Sequence, residues 1–458
     1  MIWRTKGERS PTVNVGFPSI QVCGSILPYM VTDKNIVRHP VFVKEKGGAM
    51  WYDVGENRMN RKTLVPLVFL ILSVLHPSFG EVFRFLYTPG ETYRILSIVK
   101  EEVFINGRFS HQAEILNRIA VEVAEVKEGK GKLRCTFHTS EESRSSQRIF
   151  TWGRNYESEF WRDSQGRMTI PEQYYMPIVR HVPFFPAKDL QVGDEWSSEG
   201  EEVHDLRDSF GLREPLRFPI YPRYVYKGDR QWEGKDLKVI EISYTIFHRF
   251  TPPIATRLYP VRLGGMSKQT LLWDPADGRP YAYEEEFDFL FELSGGDRVE
   301  YRGKAEARVV ESSKMDKESL VQEITKDLRD MAVPNTEVRG DPLGVTLTLE
   351  NIQFLPDSAV LVPEEKEKLR RIAEILKKYP ERDILITGHT ALAGTAEGRK
   401  RLSEERAQAV GEFLLSLGVR NREQIITRGM GAEVPLADNS TEEGRKKNRR
   451  VEITILEN

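Results

Sequence analysis

The chain has 458 residues, with 67 basic and 69 acidic side chains and a formal net charge of −2. No overall field therefore draws it to nucleic acid or acidic lipid, and a 39% hydrophobic share with 30% charged residues excludes a disordered chain and leaves room for about two to four globular domains. Two cysteines, Cys23 and Cys135, no Cys-x-x-Cys pair and scattered histidines give no metal-ligand spacing, and no cofactor is expected.

Residues 1–58 show no apolar period and read as a disordered stretch from a mis-assigned start. At 59–80 a charged start, Met59-Asn-Arg-Lys62, leads into an apolar run at 64–75, then Pro77 and Ser78-Phe-Gly80. That is the layout of a secretory signal peptide, and the run is too short for a spanning helix. The expectation is translation from Met59 and cleavage after Gly80, which leaves one cysteine, Cys135, and a start without a lipid-modifiable cysteine.

From Glu81 the pattern turns to strands. Residues 82–87, 119–126, 132–138, 239–248, 269–273, 281–293 and 298–310 are β-branched and aromatic with near-alternating polarity. Asn106-Gly107 and the glycines of 128–131 are turn signals, and prolines at 183–186 and 215–222 argue against helices. Trp161-Arg-Asp-Ser-Gln-Gly-Arg167 echoes Trp273-Asp-Pro-Ala-Asp-Gly-Arg279, either as two unrelated hairpins or as two related lobes. The expectation is two β-rich domains, 81–200 and 201–312, as a sandwich or partly open barrel. Charges and prolines interrupt the strands too often for a transmembrane barrel. Glu284-Glu285-Glu286 reads as a solvated face. Ser145, Ser146, His138 and His181 lack the Gly-x-Ser-x-Gly context of a nucleophile, so no catalytic residues are assigned.

Residues 313–343 read as a helical linker: Leu320, Val321, Ile324, Leu328 and Met331 recur at helical spacing, with Ser312 or Ser313 as the cap. Pro334, Gly340, Pro342 and Gly344 end it.

In 344–458, strand-like runs at 345–354, 383–387, 424–427 and 451–456 alternate with helical patterns, one started by Pro363 and one marked by Leu402, Val410, Leu414 and Leu417 and stopped by Gly418. This predicts an α/β sandwich with helices on one face. Three motifs stand out: Phe354-Leu-Pro-Asp-Ser-Ala-Val-Leu361; Gly388-His389-Thr390 followed by Leu402-Ser403 and Arg406-Ala407; and Asn439-Ser-Thr-Glu-Glu-Gly-Arg-Lys-Lys-Asn-Arg-Arg-Val-Glu452. Together they resemble the OmpA-like (OmpA/MotB) domain, a periplasmic module that grips peptidoglycan. The resemblance implies a ligand set of Asp357, Thr390, residue 391, residue 399, Arg406, Asn448 and Arg449, with His389 as scaffold. In the family, Asp after Gly-His-Thr takes the ammonium of a diaminopimelate end and Arg406's counterpart takes its carboxylate. This chain has Ala391 in place of that Asp, and Arg399 in place of a usual Asn.

The resemblance implies a non-catalytic periplasmic envelope protein, at the wall or inner face of the outer membrane, with peptidoglycan held weakly and envelope proteins as other partners. Two alternatives stay open: a degenerate module that serves only protein contacts, and an envelope enzyme anchored by its last domain.

Overall fold

The computed structural model describes residues 80–142, 149–207, 212–251, 259–310, 315–355 and 358–457. The proposed disordered start and the signal peptide up to residue 79 lie outside these residues, as do Ser145, Ser146, Ser312, Ser313 and Asp357.

Alternating polarity builds long antiparallel strands. The first four are β1 (Thr92–Ile105), β2 (Arg108–Lys127), β3 (Lys130–Glu142) and β4 (Phe150–Arg162). The β1–β2 turn places Asn106 and Gly107 at φ 52° and 76°, the left-handed pair a tight hairpin needs. Short strands follow: β5 (Met168–Thr169), β6 (Val179–Arg180), β7 (Glu195–Ser197), β8 (Gly200–His204) and β9 (Leu216–Ile220). Long ones resume with β10 (Arg223–Trp232), β11 (Lys235–Arg249), β12 (Pro260–Asp274), β13 (Arg279–Leu293) and β14 (Arg298–Val310). β14 pairs with β1 from Arg94↔Val310 to Ile105↔Val299. The boundary expected near residue 200 therefore does not divide the sheet, whose order is β4-β3-β2-β1-β14-β13-β12-β11-β10-β7. One face is packed with Val99, Ile115, Leu263, Phe287 and Phe289, against Phe218 and Ile220 of a separate sheet, β6-β8-β9.

Residues 82–87, expected as a strand, join no ladder; the residue before them, Glu81, makes a single bridge to Leu190. Their aromatic side chains plug a second core instead. Phe83 stacks on Phe185 at 5.2 Å and Phe85 meets Trp273 edge-on at 4.9 Å. The two echoing Trp-to-Arg segments form similar turns. Asp163 Oδ1 accepts from the amides of Gln165 and Arg167, and Asp274 Oδ1 from those of Ala276 and Asp277.

The next helix is α1 (Lys317–Asp330), capped by Asp316 accepting from the Ser319 amide at 3.1 Å. Its Leu320, Ile324 and Leu328 join the core of the following domain. β15 (Thr336–Asp341) then pairs with β16 (Gly344–Glu350). The stretch read as a linker is thus built into the domain. After it come α2 (Pro363–Leu376), β17 (Ile384–Gly388), α3 (Ala396–Ser416), β18 (Ile425–Gly429), α4 (Glu442–Asn448) and β19 (Arg450–Leu456). The strand order is β15-β16-β19-β17-β18, with β17 and β18 parallel.

The outer edge of β18 is covered by β4, paired parallel at Ile426↔Phe150 and Thr427↔Thr151. Beside this seam Asp383 takes Arg118 Nε at 2.7 Å and lies 3.8 Å from Arg94. Arg422 reaches Glu142 at 3.0 Å and also pairs with Glu114. No described helix is long and apolar enough to cross a membrane.

Candidate functional site

The site lies where β17 ends. Gly388 leads into His389, Thr390 and Ala391, and backbone bonds pin each step. The amides of His389 and Thr390 donate to the carbonyls of Arg450 and Gly431 at 2.9 and 2.8 Å. The Leu392 amide donates to Asn439 Oδ1 at 2.9 Å. Helix α3 packs directly on this exit. A Cβ at Gly388 would lie 2.0 Å from the Ser403 carbonyl oxygen, so no other residue fits without displacing the helix. Ser403 Oγ also receives the Gly431 amide at 2.8 Å.

Ala391 is 7% exposed, so the position that would hold a carboxylate is enclosed and uncharged. The Thr390 hydroxyl beside it is buried with no partner among the described residues. Arg399 folds back on the loop, its Nη1 donating to the Gly394 carbonyl at 2.5 Å. Arg406 stands one turn beyond Ser403, half-buried, with its guanidinium 4.8 Å over the Phe354 ring and Nε donating to the Ser358 carbonyl at 3.4 Å. Its neighbour Glu405 lies 3.7 Å from Arg401 instead. The chemistry offered is cationic and apolar. Leu355, Val360, Leu392, Val434 and Leu436 are exposed on loops around this end of the domain.

Asn448 and Arg449 have other engagements. Asn448 is 1% exposed; it accepts from the Leu436 and Ala437 amides and donates to the Ala437 carbonyl at 2.8 Å. Its amide is thereby spent on bracing the 434–437 loop. Arg449 donates to Glu442 Oε1 at 2.9 Å. His389 lies 3.6 Å from Glu452, and burial lowers its pKa against that pull. Burial would raise the Glu452 pKa, but the hydrogen bond from Arg450 Nε at 2.9 Å, with the nearby His389 ring, holds it well below the usual range. Both serve as framework. The roles of Ser403 and Asn439 went unassigned in the sequence, although each lies inside a recognised motif. Asp357 falls outside the described residues.

In the other region, the middle residue of Glu284-Glu285-Glu286 corrects the reading as a solvated face. Strand alternation turns Glu285 inward, 2% exposed, while Glu284 and Glu286 point to solvent.

A family model described as OmpA family matches residues 353–449. Over 105 residues the chain is 40% identical to the probable lipoprotein YiaD of Escherichia coli, covering 23% of this chain and 48% of that protein. Over 104 residues it is 41% identical to the peptidoglycan-binding protein ArfA of Mycobacterium tuberculosis, covering 23% of this chain and 32% of that one. The chain thus spans less than half the length of these curated relatives. Among solved structures, an outer membrane protein of Borrelia burgdorferi is 37% identical, covering 26% of this chain and 96% of that one, with a TM-score of 0.23. The peptidoglycan-associated lipoprotein of Burkholderia pseudomallei is 31% identical, covering 23% and 87%, with a TM-score of 0.21.

Proposed function

Residues 353–449 of this chain form a domain of the OmpA family, and on that premise we propose that the protein is a non-catalytic periplasmic component of the cell envelope whose last domain contacts peptidoglycan weakly. The observation that carries the reading is Ala391 at the strand exit with Arg406 on the packed helix. Arg406 suits the carboxylate of a stem-peptide end, through the planar fork of its guanidinium. Ala391 leaves the accompanying ammonium without a partner, and Arg399 adds like charge. A missing charged hydrogen-bond partner costs on the order of 2 kcal/mol, or tens-fold in affinity. Signal cleavage after Gly80 belongs to the same reading. It would leave Glu81 first, with its carboxylate 2.5 Å from Lys238.

The test is titration of a diaminopimelate-bearing stem peptide into the full chain. Native protein should bind weakly, and Ala391→Asp should strengthen binding by about tens-fold. Ala391→Asp with Arg399→Asn should bind more tightly still, and Arg406→Ala in that background should abolish the gain. Tight binding by native protein, unchanged by Arg406→Ala, would put the ligand elsewhere. The exposed rim of Leu355, Val360, Leu392, Val434 and Leu436 favours a second reading, a protein partner at the same end. Cross-linking from Leu392 to an envelope protein, with no sacculus binding even by the Ala391→Asp variant, would support it.

A further inference from the structure

The sheet of the last domain ends at β15, and no described strand pairs with its outer side. The Glu350 amide donates to the Asn335 carbonyl at 3.1 Å. In an antiparallel ladder, residues 335, 337, 339 and 341 therefore turn their backbone toward β16. The amides and carbonyls of Thr336, Val338 and Gly340 face outward. Edges of this kind are usually blunted by lysine, proline or a bulge, or are covered. Thr336–Asp341 holds no lysine or proline, and its register with β16 runs without a shift. Glu337, Arg339 and Gly340 are exposed along it.

The side chains say what this edge fits. Alternation places Glu337 and Arg339 on one face and Thr336 and Val338 on the other. Val338 lies on the α1 face, packed against the domain core, and with Leu328, Ala332 and Val333 it lines a groove of about 700 Å³. A second β15, antiparallel about a two-fold axis, can meet this one in three overlapping registers that keep like faces together. Centred on Glu337, the register sets Glu337 opposite Glu337. Centred on Arg339, it sets Arg339 opposite Arg339 and Glu337 opposite Asp341. Centred on Val338, it sets each Glu337 opposite the other copy's Arg339, Val338 opposite Val338 and Thr336 opposite Gly340. Of the three, the Val338 register alone pairs opposite charges, and does so twice. It also brings the outward amides and carbonyls of the two strands directly against each other. The Glu–Arg pairs then fall at the closely spaced positions, where opposed Cα atoms lie about 4.5 Å apart.

We propose that β15 is a docking edge for a second copy of this chain, the two strands pairing antiparallel about Val338 and joining two sheets into one. Arg339 already donates through Nη1 to Thr348 Oγ1 at 2.5 Å, and its Nη2 lies 3.2 Å from Glu452. A guanidinium carries five N–H donors, and 45% of this side chain is open to solvent. Glu337 of the second copy therefore adds a carboxylate without displacing Glu452. On the opposite face the two α1 grooves meet at the axis and close over the paired valines, which removes apolar surface from water. The contact uses the same patch on both copies, so it closes at two and does not propagate. One six-residue strand and a groove make a small interface, so the dimer is weak and forms only as concentration rises.

The experiment is sedimentation velocity of the full chain from about 1 to about 300 μM. Native protein should pass from monomer to dimer across that range. Glu337→Arg, at an exposed position, sets arginine opposite arginine and should stay monomeric. Arg339→Glu should stay monomeric too, with circular dichroism confirming that each variant is folded. Mixing the two variants should restore a dimer, because each arginine of one then faces a glutamate of the other. Monomer at every concentration of native protein would overturn the proposal and leave the edge to a strand of another protein. A native dimer unchanged by Glu337→Arg would put the contact elsewhere on the chain. A mixture of the two folded variants that stays monomeric would overturn the Val338 register.

Discussion

A carboxylate at position 391 would be enclosed, since Ala391 is 7% exposed. Ala391→Asp should therefore lower the melting temperature of the free protein, and stem peptide should restore it as the ammonium pairs with the new charge. A free protein that melts unchanged would mean the side chain reaches solvent. Other buried carboxylates set the response to pH. Burial, with Glu141 adding, pushes Glu101 up to about 8, and burial with Glu202 does the same for Glu285, from 4.5 in each case. A folded-state pKa above the unfolded value means that the native state holds more protons within that window. The stability these two acids contribute is therefore fully present below pH 4.5 and is lost as pH rises through 8, whereas burial lowers His138 from 6.5 to about 2 and gives a contribution that rises with pH up to 6.5. Glu452 has the opposite sign and acts only in acid, where its ion pairs are lost. Above the range in which His138 acts, urea midpoints from about pH 6.5 to 9 should fall with pH in the native chain and fall less in Glu285→Gln; a flat native profile would count against the buried acids. At this scale Ala391, Arg399 and Arg406 could be singled out as candidates because they sit inside spaced motifs. Glu285 was misread because three successive acids were taken as a run, although a strand turns the middle one to the other face.

Among elements, the seam between β4 and β18 is the least expected contact. An edge strand left open invites pairing with another chain, and here β4 covers the β18 edge. Asp383 anchors the seam through Arg118 at 2.7 Å, with Arg94 at 3.8 Å. Removing it leaves two buried guanidinium groups short of their carboxylate, a loss of about 3–5 kcal/mol for a broken buried pair. Asp383→Ala should lower the denaturation midpoint and speed hydrogen exchange in β18. Arg118→Ala should do the same, and the double variant should cost less than the sum. Unchanged exchange in β18 would detach the ion pairs from the seam. Helices α1, α2 and α3 were readable from apolar spacing and most long strands from alternation, whereas α4, Glu442–Asn448, carries no apolar residue to mark it. The seam was not, because Arg118 and Asp383 are 265 positions apart and no local period links them. Residues 82–87 alternate like a strand, but their rings had a better place in the aromatic core than in a ladder.

At the scale of the molecule, the boundary drawn at residue 344 followed prolines and glycines, which mark breaks in the chain and not the limits of a core. Helix α1 ends before that boundary yet buries Leu320, Ile324 and Leu328 among Leu369, Ile372 and Ile453. β15 likewise precedes it and covers the edge of β16. A fully buried aliphatic side chain contributes about 1.5–3 kcal/mol, so removing three of them takes away much of a small domain's margin. Two fragments distinguish the readings, residues 315–458 and residues 344–458. Both expose the β18 edge and leave Asp383 without its arginines, so the seam cancels in the comparison. The longer fragment should unfold cooperatively in urea. The shorter one should unfold at markedly lower urea or fail to fold, because Leu369 and Ile372 lose the helix that covers them. Equal midpoints would mean that α1 only rests on the domain, and that the linker reading was the better one.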